Sequence, residues 1–300
     1  MGRLVEGKWS TEWYDTKSTG GKFVREDAGF RGDIAADDFE PGRYHLYVSL
    51  ACPWAHRTLI FRKLKNLEAA ISLSIVDPFM GADGWVFSDG PGCIPDSVNG
   101  KRFLHELYTL VKADYTGRVT VPILWDKRDG TIVNNESSEI IRIFNRIGDG
   151  PDFCPEPLRA EIDEVNAFVY DHVNNGVYKC GFATEQAVYE AEFRKLFDGL
   201  DELARRLQDR RFLCGDAITE ADWRLFTTLI RFDAVYHGHF KCNLRRIADY
   251  PALSRLTREL FEYPGVKATV NFDHIKQHYY RSHTTINPNG IVPAGPAEPF

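Results

Sequence analysis

The run Tyr44-His45-Leu46-Tyr47-Val48-Ser49-Leu50-Ala51-Cys52-Pro53-Trp54-Ala55-His56-Arg57 decides how this chain of 300 residues is read. Tyr44, Leu46 and Val48 alternate with His45, Tyr47 and Ser49, which predicts a strand over 43–49. Pro53 then opens an amphipathic helix reaching Lys65. Proline suits the first helical turn, where the N–H it lacks would have no intrahelical partner. Cys52 is thereby left at the positive end of the helix dipole, facing unpaired backbone N–H groups. A thiolate is stabilised in such a place, so the thiol should ionise more readily and react faster than a free one. Three residues on stands Ala55 rather than a second cysteine. A dithiol switch within the motif is excluded, and any second sulfur must come from a small molecule.

Outward from this run, Ile71, Leu73 and Ile75 alternate with serines and predict a second strand over 71–76, parallel to the first across the intervening helix. Residues 77–99 form a long Gly- and Pro-rich insertion carrying Trp85, of a length that is usually functional. A helix is expected over 101–112 and a strand, entered through Pro122, over 119–126. A turn at 127–130 leads to a return strand from Thr131, and Glu136-Ser137-Ser138-Glu139 opens another helix. The order β-α-β-α-β-β-α is thioredoxin-like and resembles the N-terminal domain of glutathione transferases.

Before this block, residues 1–40 read as a polar, extended arm whose aromatics, Trp9, Trp13, Tyr14, Phe23 and Phe30, pack onto the body. After it, 149–157 is a proline-rich linker. Helical apolar spacing follows over 158–174, 185–208, 220–236 and 252–262. Thr219-Glu220-Ala221-Asp222 reads as a capping box with aspartate in place of glutamate. The expected organisation is an arm (1–40), an α/β thioredoxin-like domain (41–150), an all-α domain (151–281) and an extended tail (282–300).

Composition sets bounds on the partners. With 43% hydrophobic and 27% charged residues the chain is globular, and a net charge of −6 gives no reason to expect nucleic acid or an anionic membrane. No apolar run reaches transmembrane length. The first residues lack the apolar core of an export signal, so the cytoplasm is the expected compartment. Six cysteines at irregular spacing do not suggest a disulfide framework. Tyr236-His237-Gly238-His239 lacks the further ligands of a closed metal site, and no metal is expected.

Three features carry the chemistry. Val121-Pro122 enters a strand beside the cysteine, and a cis bond there could leave the backbone before it free to pair with a peptide ligand. Glu136 offers a carboxylate for an α-ammonium, and Ser137 its N–H and hydroxyl for an α-carboxylate, at a helix start. Arg118 adds a charged donor and Trp85 a flat face. Together these groups suit glutathione, although Glu136 alone can equally be a helix-start acid. At this point the chain resembles the glutathionyl-hydroquinone reductases, the xi class of glutathione transferases. The resemblance rests on 49–57, 118–126 and 135–140 in the first half. In the second half it rests on Asn174-Asn175-Gly176-Val177-Tyr178-Lys179-Cys180-Gly181-Phe182-Ala183, on Asp273-His274-Ile275-Lys276-Gln277-His278-Tyr279-Tyr280 and on 285–293.

The resemblance implies that Cys52 attacks the sulfur of a glutathionyl-hydroquinone and that the hydroquinone leaves. A second glutathione, acting as co-substrate, would then release glutathione disulfide from the cysteine. It implies Trp85, Arg118, Val121, Glu136 and Ser137 as glutathione-binding residues, Tyr178 and Tyr279 as catalytic residues at the aromatic substrate, and a homodimer. Read from the residues alone, Tyr178 is a loop or helix-end aromatic and Tyr279 can equally be packing. Two alternatives stand beside this reading. One is a general cysteine-type transferase acting as a thiol transferase or dehydroascorbate reductase. The other is a non-catalytic binding protein of the same fold.

Overall fold

The computed structural model of the protein describes every residue except Met1, Trp13 and Pro299. The expectation that Trp13 packs onto the body therefore lies outside the described residues. The chain divides into two compact units that interleave in sequence. The first comprises Met1–Trp13, Glu26–Pro151 and Ala268–His283; the second comprises Tyr14–Arg25, Asp152–Lys267 and Thr284–Phe300. Residues 1–40 are thus shared between the units, and a late segment returns to the first.

The first unit begins with two short strands, β1 (Arg3–Val5) and β2 (Lys8–Ser10). The main sheet starts at β3 (Tyr44–Val48), followed by α1 (Pro53–Leu64), β4 (Ile71–Ile75) and α2 (His105–Val111). Then come β5 (Gly117–Arg118), β6 (Ile123–Asp126), β7 (Thr131–Asn134) and α3 (Ser137–Ile147). The main sheet has the order β4-β3-β6-β7. β3 runs parallel to β4, with Leu46 opposite Leu73, and antiparallel to β6, with Leu46 opposite Leu124. Helices α1 and α3 pack together.

All five residues of β3 are buried, including His45 and Tyr47 on the face that alternation marks as polar. The polar atoms there find partners. His45 pairs through Nδ1 with Ser72 Oγ at 2.7 Å and through Nε2 with Ser74 Oγ at 3.0 Å. The Tyr47 hydroxyl donates to Asp96 at 2.8 Å. The serines alternating along β4 thus satisfy the histidine beside them.

Two expected elements differ. The arm is partly ordered as a second sheet, β2-β1-β5, in which Arg3 faces both Ser10 and Arg118. The strand expected over 119–126 is shorter, with only Ile123–Asp126 in the main sheet, while Gly117–Arg118 just before the expected range joins the second sheet. Proline at 122 has no N–H for a ladder bond, which suits a strand that begins just after it.

The second unit is helical: α4 (Arg159–Val169), α5 (Gly176–Gly181), α6 (Gln186–Arg206), α7 (Glu220–Arg231), the single turn α8 (His237–His239) and α9 (Pro251–Phe261). The helix expected over 158–174 ends in a π-helical turn, Tyr170–Asn174, and α7 ends likewise in Phe232–Tyr236. The amide of Asn174 donates to Arg224 O at 3.0 Å and to Thr228 Oγ at 2.8 Å, which ties the first π turn to α7. A last helix, α10 (Phe272–Ser282), belongs to the first unit. Among the described residues no helix is long and apolar enough to cross a membrane, and no group of three potential metal ligands occurs.

Candidate active site

Cys52 lies just past β3 and is the N-cap of α1, with extended backbone (φ −75°, ψ 123°) and Pro53 in the first turn. Its carbonyl accepts the first helical bond, from His56 N at 2.9 Å. The thiol therefore sits at the positive end of a twelve-residue helix. The residue is partly exposed, and its Sγ points toward Val121 O, 3.7 Å away. The Val121-Pro122 peptide bond is cis, and Val121 is buried.

Glu136 is the N-cap of α3, and Ser137 is its first residue. Glu136 Oε1 accepts from Ser138 N at 2.9 Å and from Ser138 Oγ at 2.8 Å. The carboxylate thus caps its own helix, as a helix-start acid does. Ser137 is buried and meets α1 through Arg57, whose Nη1 donates to Ser137 Oγ at 3.4 Å. The Arg57 guanidinium also lies 4.6 Å over the ring of Trp54. This buried cation on the helix of Cys52 stands in the first run quoted above, but alternation and helix-start signals gave it no separate reading.

Arg118 is anchored on the N-terminal segment. Its Nη1 donates to Glu12 O at 3.1 Å and to Gly2 O at 3.3 Å, and its Nε lies 3.8 Å from Glu26 Oε1. Trp85 is 6% exposed and stacks on His278 of α10, with ring centroids 4.8 Å apart and planes at 21°. Tyr279 is the next residue of α10, is 1% exposed and meets the rings of His278 and His283 edge-on. The structure thus places Cys52, Trp85, Arg118, Val121, Glu136, Ser137 and Tyr279 in the first unit. Tyr178 is in the second, on α5, among Phe23, Phe182, Tyr236 and Phe240, with the Arg25 guanidinium 5.2 Å over its ring. A cavity of about 320 Å³ in that unit is bounded by Phe23, Arg25, Tyr170, Asn175, Lys179 and Glu192 and includes none of the expected site residues.

Comparison with known proteins bears on this arrangement. Residues 51–147 match the family "Glutathione S-transferase, N-terminal domain", and 186–259 match "Glutathione S-transferase, C-terminal domain". The glutathionyl-hydroquinone reductase PcpF of Sphingobium chlorophenolicum is 57% identical over 306 residues, covering 100% of this chain and 98% of that one. The glutathione-bound structure of YqjG, a glutathione transferase homologue from Escherichia coli K-12, aligns with a TM-score of 0.91 at 48% identity over 98% of this chain and 96% of that one. A xi-class transferase from Natrialba magadii aligns with a TM-score of 0.95 at 45% identity, over 99% and 94%. The chain belongs to the glutathionyl-hydroquinone reductases, the xi class of glutathione transferases.

In this xi-class chain the insertion over 77–99 and α10 are bound to each other. His274 Nε2 pairs with Pro91 O at 2.7 Å, His278 Nδ1 with Pro78 O at 2.9 Å, and Met80 N donates to Ser282 Oγ at 3.0 Å. Ahead of α10, Thr269 Oγ1 is 2.8 Å from Nε2 of His56 on α1. The sequence reading weighed the tyrosines of α10 and passed over its histidines. The available signal was their spacing, 274 and 278, which puts both on one helical face.

Proposed function

We propose that this chain reduces glutathionyl-hydroquinones to hydroquinones at the expense of glutathione, with Cys52 as the nucleophile. The observation that carries the reading is a partly exposed cysteine at the N-terminus of α1, its sulfur directed at Val121, in a chain 57% identical to a glutathionyl-hydroquinone reductase over its full length. In the first step the Cys52 thiolate attacks the glutathione sulfur and the bond from sulfur to the ring carbon breaks. The electron pair stays on that carbon, which takes a proton. Cys52 is left as a mixed disulfide with glutathione, and the hydroquinone departs. In the second step a glutathione thiolate attacks the glutathione sulfur of the mixed disulfide. Glutathione disulfide leaves and the Cys52 thiolate returns. The conjugate's thioether sulfur and the second glutathione's thiol each give up one electron and the ring carbon takes two, so the electrons balance and Cys52 is regenerated.

Trp85, Arg118, Val121, Glu136 and Ser137 hold glutathione in this reading. Glu136 keeps Oε2 for the α-ammonium while Oε1 caps the helix, and the start of α3 receives the α-carboxylate. Tyr178 and Tyr279 donate hydrogen bonds to the ring substrate, and one of them supplies the proton. Each Tyr→Phe change is expected to slow the conjugate about ten- to several-hundredfold while sparing an unrelated small disulfide. Equal loss on both substrates would make the tyrosines structural. The resemblance also carries the expectation of a cytoplasmic homodimer, whose mass light scattering would read.

The deciding experiment is mass spectrometry after incubation with a glutathionylated hydroquinone. Free hydroquinone and a glutathione adduct on Cys52 are expected. Turnover without an adduct in single-cycle conditions, or an adduct from small disulfides but none from the conjugate, would overturn the reading in favour of a general thiol transferase.

A further inference from the structure

We infer that His278 is a positioning residue that fixes the plane of the Trp85 indole and so sets the affinity for glutathione; the inference rests on the reading of Trp85 as a glutathione-binding residue. Residues 274, 278 and 282 recur every fourth position and share one face of α10. All three address backbone of the insertion that carries Trp85, at Pro91, Pro78 and Met80 respectively. His278 adds a contact that the other two lack, the stack on Trp85 at 4.8 Å and 21°.

The backbone of Trp85 is already fixed, because its carbonyl accepts from Leu104 N at 2.9 Å. A fixed backbone leaves the two side-chain torsions of an indole open. Burial of Trp85 narrows that freedom, and a flat partner whose own plane is held sets the remaining tilt of the ring. The Pro78 carbonyl can only accept, so Nδ1 of His278 carries the proton and donates, and this bond locks the imidazole against rotation. The same helix turn presents Tyr279 edge-on to His278 at 5.1 Å. The imidazole therefore joins the proposed glutathione face to the helix bearing one of the proposed ring-substrate hydroxyls.

The test measures binding of glutathione itself by calorimetry, in a Cys52→Ala background where no chemistry follows. His278→Asn keeps an N–H near the place of Nδ1 and removes the aromatic face. It should weaken binding about two- to tenfold, the range expected of one lost aromatic pair. His278→Phe keeps the face but loses the bond to Pro78 that fixes its plane, so it should recover only part of the affinity, and that partial recovery guards against a fold defect in the asparagine variant. In a Trp85→Ala background His278→Asn should have no further effect, since the two act as one unit. If His278→Asn weakens binding by the same factor with and without Trp85, or not at all, the inference is wrong while the glutathione role of Trp85 stands. If Trp85→Ala alone binds glutathione normally, the reading of Trp85 fails and the inference falls with it.

Discussion

Cys52 differs from the chain's other thiols in its surroundings. Cys154, Cys180, Cys214 and Cys242 are buried, and only Cys52 and Cys93 are partly exposed. Burial pushes the Cys93 thiol up, the Cys214 thiol up to about 11, and the Cys242 thiol, lying beside Cys180, well above its ordinary value. Iodoacetamide at pH 7 is therefore expected to modify Cys52 first, and peptide mapping of a time course reads the order. Labelling of Cys93 ahead of Cys52 would remove the argument from the helix start. Cys52→Ala and Cys52→Ser should both lose conjugate reduction while unfolding at the wild-type temperature, because an alcohol is not ionised near neutrality. At Glu136 the informative change is to glutamine. Alanine would also remove the cap of α3, worth about 1 kcal/mol, whereas glutamine keeps an oxygen for Ser138. Loss of the charged partner should raise the apparent constant for glutathione about tenfold or more with little change at saturation. An unchanged constant in steady-state kinetics would leave Glu136 as a capping residue alone.

Among the elements, α7 shows how a local signal and a buried network coincide. Asp222 accepts from Thr219 N at 2.9 Å and from Thr219 Oγ at 3.1 Å, closing the capping box, and its other oxygen accepts from Leu213 N at 2.9 Å. Asp222 is fully buried. Asp222→Ala would leave two buried backbone donors without partners. It should cost about 2–4 kcal/mol, more than a surface cap, because nothing replaces those bonds. The urea midpoint at pH 7 measures this, and a loss under about 0.5 kcal/mol would mean that solvent reaches the site. The capping box was legible in Thr219-Glu220-Ala221-Asp222. The third bond, to Leu213, was not, because it comes from a loop outside the motif. Helices α5 and α10 were also not marked. α5 is only six residues long, and α10 carries polar residues on the face that packs against the insertion.

At the scale of the whole molecule, stability should respond to acid through His45. This ring is fully buried in the main sheet, and burial lowers its pKa from 6.5 to about 4. The folded state holds it neutral while the unfolded chain binds a proton from about pH 6.5 downward. Its contribution is therefore intact above 6.5 and is lost as pH falls toward 4, about 3 kcal/mol in all. Asp222 acts in the opposite sense, since burial holds its carboxyl up at about 6 and the folded state gains a proton there first. The expected outcome is read from a variant: His45→Gln should flatten the decline of the urea midpoint between pH 6.5 and 4. An unaltered slope would show that His45 is protonated in the folded protein, its serine partners notwithstanding.

What the sequence determined by itself lies within short spans: the strand leading to Cys52, the proline that starts α1, the cap of α7, and the motifs that mark the xi class. Each is encoded by neighbouring residues whose torsions, spacing or missing donor act locally, and such signals survive without a fold. The tertiary structure decided the rest. It paired Arg3 with Arg118 and so made a sheet from a segment read as an arm. It drew the late helix α10 into the first unit and set His278 on Trp85. It buried His45 between two serines of a neighbouring strand. These contacts join residues remote in the chain, and a single histidine or arginine looks the same in sequence whether it faces water or a partner. Only packing removes the water, and that loss of solvent gives those polar side chains their partners and their pKa values.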